Sequence, residues 1–424
     1  MDVSDIGGYI RRMIKENYHR LGGISEALAD RNFRIYSMGS IGSWISFFIQ
    51  LVAVAWLTWL ITKSTSWLAG MALLDIVPNV VLMPFAGAFA DRHDRHTILI
   101  ATSGLLLFQA VALAMLAWLD MLTIWPLASL MLVHGILISF LVPAMYGTLP
   151  RFVHRPALSS AIAVSSAYTQ FAVFVGPAVA GWIISNHGIT MAFVVNALGY
   201  FVLIITLLFL KTPPEYQKPI PSSCSIVSDI IDGFAYIRKD ETITWLLWLL
   251  FISNALASGF VHMVPAYSDL VLNLGVVGVS TILASRGMGA TVAALWLAYR
   301  GIKAARIEWV LWASLIAMLA LVVLIKTENI ILASVIVGVI GFAGETRKTG
   351  TMSIIQLSVE ESQRGRVMGT VFMLSQLAAG IGVYLIGTFA VEYGLRAPIF
   401  VGAAVGTIIW VVLYVRHFKR RRIQ

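Results

Sequence analysis

The chain has 424 residues, of which 59% are hydrophobic and only 12% are charged. A water-soluble globule cannot hide so large an apolar fraction in one core, so the composition indicates an integral membrane protein. The formal net charge of +9 does not point to a nucleic-acid partner, because the basic residues lie in short segments between apolar runs. The single cysteine, Cys224, excludes an internal disulfide.

Twelve apolar runs follow one another along the chain, each of about the 20 residues that a helix needs to cross the hydrocarbon. They lie at 35–62, 67–90, 96–118, 122–148, 157–185, 189–210, 243–268, 276–299, 307–325, 329–356, 367–391 and 396–415. The runs lack the alternating pattern of membrane β-strands. The sequence therefore predicts an all-α membrane protein with twelve transmembrane helices.

Most of the 30 lysines and arginines fall on one side of this arrangement. The other side receives only Lys63, Lys326 and Arg396. Because positively charged loops stay in the cytoplasm, both termini are expected to be cytoplasmic, including the basic tail at 416–424.

The N-terminal segment at 1–34 carries charges throughout and lacks a continuous apolar core, so we expect no cleavable signal peptide. Ile6, Ile10 and Tyr18 recur at helical spacing opposite basic residues. This pattern predicts a cytoplasmic amphipathic segment, and a solvated tether is the alternative.

The chain also contains an internal repeat. A shift of about 206 residues places Gln170 on Gln376 and Gly188 on Gly394, and the span boundaries coincide as well. Two six-helix halves related by pseudo-twofold symmetry are therefore expected. They occupy 35–211 and 243–415, and a Pro-rich cytoplasmic linker at 212–242 is predicted to end in a short amphipathic helix, with a solvated tether again the alternative.

A charged cluster, GAFADRHDRH at 87–96, interrupts the apolar sequence between the second and third spans. It resembles the signature loop of the major facilitator superfamily, G-x-L-A-D-R-x-G-R-K-x-x-L, and departs from it at Phe89, Asp94 and His96. The resemblance implies a charge lock between the halves, formed by Gly87, Asp91, Arg92 and Arg95. A solvated turn that only sets the topology is the alternative.

A second motif, FVGPAVAGW at 174–182, resembles the antiporter element G-P-x-x-G-G of that superfamily. Gly176, Pro177 and Gly181 match it. Proline removes a backbone donor, and small residues let a neighbouring helix approach closely. These residues are therefore expected to form a hinge at the interface between the halves, although ordinary tight packing uses the same residue types.

Two further loops, LPRFVHRPALSSA and VEESQRGRVMG, resemble those of the exporter group that includes the enterobactin exporter and related drug exporters. The resemblance implies the major facilitator fold and alternating access around a midplane cavity. One departure is the fourth span, which has no arginine where many proton-coupled drug antiporters carry one. A standard proton relay is therefore in doubt.

Five ionisable residues lie inside the predicted spans, where charges are costly and mark candidate functional sites. They are Asp75, Arg286, Glu345, Arg347 and Lys348. We expect Glu345 to carry the coupling proton and Lys348, with Arg286, to bind anionic groups of the substrate. Asp75 is the rival carboxylate, and an ion pair that only fixes helix packing is the alternative for Glu345 and Lys348.

Spans 1, 4, 7 and 10 line the central cavity in this superfamily, and polar residues at helical spacing occur on three of them. Gln50, Asn254 and His262 are therefore added to the predicted substrate or proton site. No nucleophile with its base, nucleotide-binding loop or metal cluster is recognisable, so no enzyme activity, cofactor or metal is expected.

These features predict a proton-coupled exporter of a small amphipathic or anionic molecule, resembling a siderophore or a drug. It is expected to work as a monomer in the lipid bilayer of a bacterial inner membrane. A lipid or lysophospholipid flippase of the same fold and a non-transporting scaffold are the alternatives.

The first test concerns the cluster at 87–96. Asp91→Asn should leave membrane insertion intact and slow transport, because it removes a charge-assisted contact worth roughly 1–3 kcal/mol. The measurement is the transport rate in proteoliposomes at equal protein content, and an unchanged rate would exclude the lock.

Overall fold

The computed structural model describes residues 27–149, 152–154, 157–210, 226–239, 241–300, 306–360 and 363–421. The predictions for the first 26 residues and for the Pro-rich part of the linker at 211–225 lie outside these residues.

All of the described secondary structure is helical, and twelve of the described helices correspond to the predicted spans. Numbered here as spans 1 to 12, they are Arg31–Thr62, Thr65–Arg92, Arg95–Trp118, Ile124–Thr148, Leu158–His187, Ile189–Leu208, Glu241–His262, Gly275–Arg300, Ile307–Ile325, Ile330–Ser358, Arg364–Tyr393 and Arg396–Arg421. Eleven of them contain a segment long and apolar enough to cross a membrane, and span 12 holds a shorter apolar stretch, Arg396–Val412. The predicted all-α membrane fold is confirmed.

Local sequence explains where several spans begin and end. The Asp94 carboxylate caps span 3 by accepting the backbone N–H of Thr97 at 2.9 Å. Gly188 and Gly394, which the internal repeat aligns, follow spans 5 and 11 with φ of 80° and 72°. Glycine adopts these backbone angles without steric cost, so equivalent positions make equivalent turns in the two halves.

Span 7 differs from the prediction. The sequence places it at 243–268, but the helix ends at His262 and is followed by a short helix, Val264–Tyr267, and a π-helical turn, Ser268–Leu272. Pro265 explains the break, because it has no backbone N–H to continue the helix and suits the first turn of a new one.

The apolar packing shared by the two halves is concentrated toward one end of the described bundle. We call the end that holds Arg92, Arg95 and Arg300 the basic end, and the other the opposite end. At the opposite end, one apolar cluster contains residues of both halves, among them Trp59 and Val264. At the basic end, the first half has its own cluster and the second half has two others.

A linker helix, Ile226–Lys239, lies where the sequence predicts an amphipathic helix. It packs on the start of span 11, where Arg366 Nη1 donates to Asp232 Oδ2 at 3.2 Å. Ile237 joins an apolar cluster that also contains Val367. The linker helix is therefore anchored to the basic end of the second half.

The antiporter-like element divides between two interfaces. A Cβ added to Gly176 would lie 2.5 Å from Phe48 Cβ and 3.1 Å from the Ile45 carbonyl oxygen, so Gly176 packs on span 1 of its own half. Gly181 instead lies against Ser280 of span 8, across the interface between the halves. The close approach expected at the interface is therefore made by Gly181, while Gly176 serves packing inside the first half.

Gly176→Val should consequently lower the stability of the first half, by about 1–3 kcal/mol for an overpacked site. We expect a lower thermal unfolding midpoint in detergent. The matched control is Gly70→Val, because a Cβ at Gly70 meets nothing within 4 Å. Equal midpoints for the two variants would contradict this packing.

Candidate functional site

A cavity of about 740 Å³ lies between the halves, in the basic half of the bundle. Its walls come from spans 4, 5, 8 and 10. The polar residues that line it are Tyr146, Ser166, Thr169, Gln170, Thr291, Glu345, Lys348, Thr349, Ser353 and Gln356. The Thr291 hydroxyl donates to the Gln170 carbonyl oxygen at 3.2 Å, which joins span 8 to span 5 beside the cavity. The volume suits a drug-sized ligand.

Glu345 and Lys348 face this cavity together. The Glu345 side chain is mostly buried and accepts a hydrogen bond from Thr349 Oγ1 at 2.8 Å. Lys348 Nζ lies 4.0 Å from Glu345 Oε2, and 62% of the lysine side chain is exposed. At this separation the ion pair is loose, so the ammonium group is available to a ligand.

Two arginines add positive charge near Glu345. Arg347 is 4% exposed, and its Nε and Nη1 atoms have no hydrogen-bond partner. Its charge interacts with those of Arg286 and Glu345. Neither arginine is among the residues that line the described cavity. With Lys348, three cations therefore surround one carboxylate, and such an imbalance attracts anions. The sequence analysis noted Arg347 as ionisable but gave it no role, since its spacing does not reveal that its N–H groups lack partners.

The rival carboxylate, Asp75, has a partner that the sequence analysis did not give it. His134 Nδ1 of span 4 lies 2.9 Å from Asp75 Oδ1 of span 2. The histidine side chain is 3% exposed and the aspartate 22%. The charge of Asp75 also acts on His262 at the end of span 7.

Gln50 and Asn254 are used in packing between helices. Gln50 is 1% exposed and its amide nitrogen lies 4.0 Å from the sulfur of Met131. Asn254 Nδ2 donates to the Ser375 carbonyl oxygen at 2.6 Å. Neither residue lines the described cavity. Helical periodicity shows which side of its helix each residue occupies, but it does not show which neighbouring helix covers that side.

The turn at 87–96 makes its described contacts within the first half. The Arg95 guanidinium donates to the carbonyl oxygens of Gly147 and Ala90. His96 Nε2 lies 2.9 Å from the Leu207 carbonyl oxygen. These contacts tie the turn to the ends of spans 4 and 6, where helix C-termini attract positive charge.

Two other members of the predicted lock, Gly87 and Arg92, are described. Arg92 is exposed, and a Cβ at Gly87 would meet nothing within 4 Å. The close helix approach expected at Gly87 is therefore absent from this conformation. Asp91 lies in the last turn of span 2, and its side chain is outside the described residues.

At the opposite end, a polar latch joins the halves. Asp269 Oδ2 accepts from Lys63 Nζ at 2.7 Å and from Trp59 Nε1 at 2.8 Å. The hydrogen bond from Lys63, and to a smaller extent the one from Trp59, holds the pKa of Asp269 below its usual range. Nearby, Thr65 Oγ1 donates to the Gly387 carbonyl oxygen at 2.9 Å. The sequence analysis used Lys63 only as a marker of topology.

The family model described as "Transmembrane secretion effector" matches residues 25–422. Macrolide efflux protein A of Streptococcus pyogenes is 22% identical over 366 residues, covering 86% of this chain and 90% of that protein. Its namesake from Enterococcus faecalis is 24% identical over 177 residues, which span 42% of this chain and 55% of that protein. The enterobactin exporter of Escherichia coli is 21% identical over 398 residues and 92% of each chain.

Among solved structures, a bacterial homologue of the human lysosomal transporter Spinster, in an inward-facing and unoccupied conformation, superposes with a TM-score of 0.72. It is 13% identical, and the superposition covers 91% of this chain and 96% of the other. This likeness bears on the fold alone.

The latch can be tested by its pH dependence. Because the pKa of Asp269 is lowered, the latch is intact at pH values above the usual Asp range and is lost as the pH falls through the lowered pKa. Acid, or Asp269→Asn, should open the opposite end. Lys63 is largely exposed, so we expect a modest effect of about 1 kcal/mol, or about a fivefold population shift.

The measurement is the distance between spin labels at Ser64 and Leu274, in a background without Cys224. The control is Glu328→Gln, which removes the 3.0 Å pair with Arg396 inside the second half. The assignment fails if both variants give the same distance distribution as the parent.

Proposed function

The chain belongs to the transmembrane secretion effector family of the major facilitator superfamily, and we propose that it exports a small amphipathic anion across a bacterial inner membrane. It is a multi-pass transporter of small molecules and not an enzyme. The export direction, the anionic substrate and coupling to the proton gradient are our proposal. The observation that carries it is the cavity lined by Lys348 and Glu345, whose carboxylate also interacts with the charges of Arg286 and Arg347.

Charge favours an anionic substrate. Burying Arg347 with its Nε and Nη1 atoms unpaired is costly, and a bound anionic group nearby would offset that cost. Glu345 would keep Lys348 in place while the cavity is empty. The loose 4.0 Å pair would then open as a substrate carboxylate or catecholate replaces Glu345 beside the ammonium group.

The same conformation suits loading from the cytoplasm. The basic end is assigned to the cytoplasm by its arginines, and the cavity lies in that half of the bundle. The packed opposite end would close the route outwards. Substrate would enter here, and rocking of the halves would expose it on the other side.

Lys348→Gln tests the binding site. We expect about tenfold weaker transport of a catecholate siderophore into inverted-membrane proteoliposomes, because a charge-assisted contact worth about 1.5 kcal/mol is lost. Transport of a cationic macrolide should not fall. Lys348→Arg should retain most activity, and Lys326→Gln, an exposed lysine at the opposite end, is the matched control.

If Lys348→Gln and Lys326→Gln lower siderophore transport equally, Lys348 is not part of the binding site. Preference of the wild type for the macrolide over the siderophore would contradict an anionic substrate. Movement of labelled phospholipid between leaflets, with neither solute transported, would instead establish the flippase alternative.

A further inference from the structure

Asp75 and His134 form a part-buried polar pair outside the residues that line the described cavity. Their 2.9 Å contact joins spans 2 and 4. These spans pack tightly at this point, since a Cβ on Gly135 would lie 2.7 Å from the Leu74 carbonyl oxygen. The separation of the two side chains is therefore fixed by backbone packing.

The surroundings of His134 leave one ring nitrogen without a partner. The ring stacks on Phe47 with centroids 5.6 Å apart. Nδ1 faces Asp75, while Nε2 is buried and has no hydrogen-bond partner. A neutral imidazole that donates from Nδ1 fits this arrangement, because its Nε2 then carries only a lone pair.

The charged and titratable neighbours come from other spans. Tyr200 of span 6 and His262 of span 7 both interact electrostatically with the charge of Asp75. His262 in turn feels the charge of Arg286 of span 8. Span 11 faces this part of span 2 with Gly380, near Ile76 and Leu73, and so brings no charge to that contact.

We propose that Asp75 and His134 are the proton-binding pair of the transporter, an inference that rests on the proton coupling in the proposed function. In the conformation open at the opposite end, Nε2 would take one proton from water and form an imidazolium paired with the Asp75 carboxylate. In the present conformation an N–H at Nε2 would be buried without an acceptor. The proton is therefore released to water here, and the imidazole returns to its neutral form.

Glu345 is less suited to this task. Thr349 Oγ1 already donates to its carboxylate at 2.8 Å, and Lys348 Nζ lies 4.0 Å away. Both Glu345 and Lys348 line the cavity. We therefore propose Glu345 for the substrate site, in place of the coupling role expected from the sequence.

Transport in proteoliposomes separates the two roles. Asp75→Asn and His134→Gln should each lose about tenfold or more of the accumulation driven by an imposed pH gradient. Both variants should keep the exchange of labelled substrate in the absence of a gradient. The substrate is the catecholate siderophore or the macrolide, depending on which of them the wild type transports. His187→Gln, an exposed histidine at the end of span 5, is the matched control and should keep both activities.

Proton binding can also be read without substrate, by NMR of the protein labelled with ¹⁵N-histidine. The signal that His134→Gln removes should change with pH in the wild type, and its response to pH should differ in Asp75→Asn. Absence of titration between about pH 5 and 9 would overturn the assignment. If the pH gradient drives accumulation equally in the wild type and in both variants, this inference alone is overturned. If the gradient does not drive accumulation in the wild type, proton coupling is overturned as well.

Discussion

The packing of the two halves at the opposite end is the constraint on which the rest of the structure depends. Helix association inside a bilayer gains little from hydrophobicity, so close van der Waals contact must hold the halves together. Small residues provide it on both flanks. A Cβ on Gly287 of span 8 would lie 2.6 Å from the Val173 carbonyl oxygen of span 5, and one on Gly387 of span 11 would lie 2.9 Å from that of Thr65 of span 2. Gly287 and Val173 lie midway along their spans, and Gly387 and Thr65 lie near the opposite end, so this packing leaves room for the cavity toward the basic end.

Such an interface is well suited to switching. Its apolar contacts need no buried ion pair, and an ion pair across it, Lys63 with Asp269, lies at the surface. An exposed ion pair contributes little to stability, about 0.2–1 kcal/mol. It can therefore bias the two conformations without trapping either. The charged groups inside the spans contact residues of their own half instead, Asp75 with His134 in the first half and Glu345 with Lys348 in the second.

Sequence reasoning succeeded where structure is determined locally. Span number follows from the length of apolar runs, and the turns at Gly188 and Gly394 follow from a residue type that adopts positive φ. Pro265 could have predicted that span 7 ends near His262, but the continuous apolar run led to one longer predicted helix. Contacts between distant spans could not be predicted, because a single sequence shows which residues share a helix face but not which helix packs against that face. Asn254 therefore turned out to bind Ser375, and His134 to face Asp75, 59 residues away.

The separation of the two candidate sites limits how proton and substrate can communicate. The proton pair belongs to the first half and the cationic cluster to the second, so direct competition for one carboxylate is excluded by their placement. His262, which feels both Asp75 and Arg286, lies on span 7, just before the segment that carries the latch residue Asp269. His262 therefore offers a physical link between the two sites and the element that closes the opposite end. Coupling through closure of one interface requires only that each ligand favours one of its two arrangements.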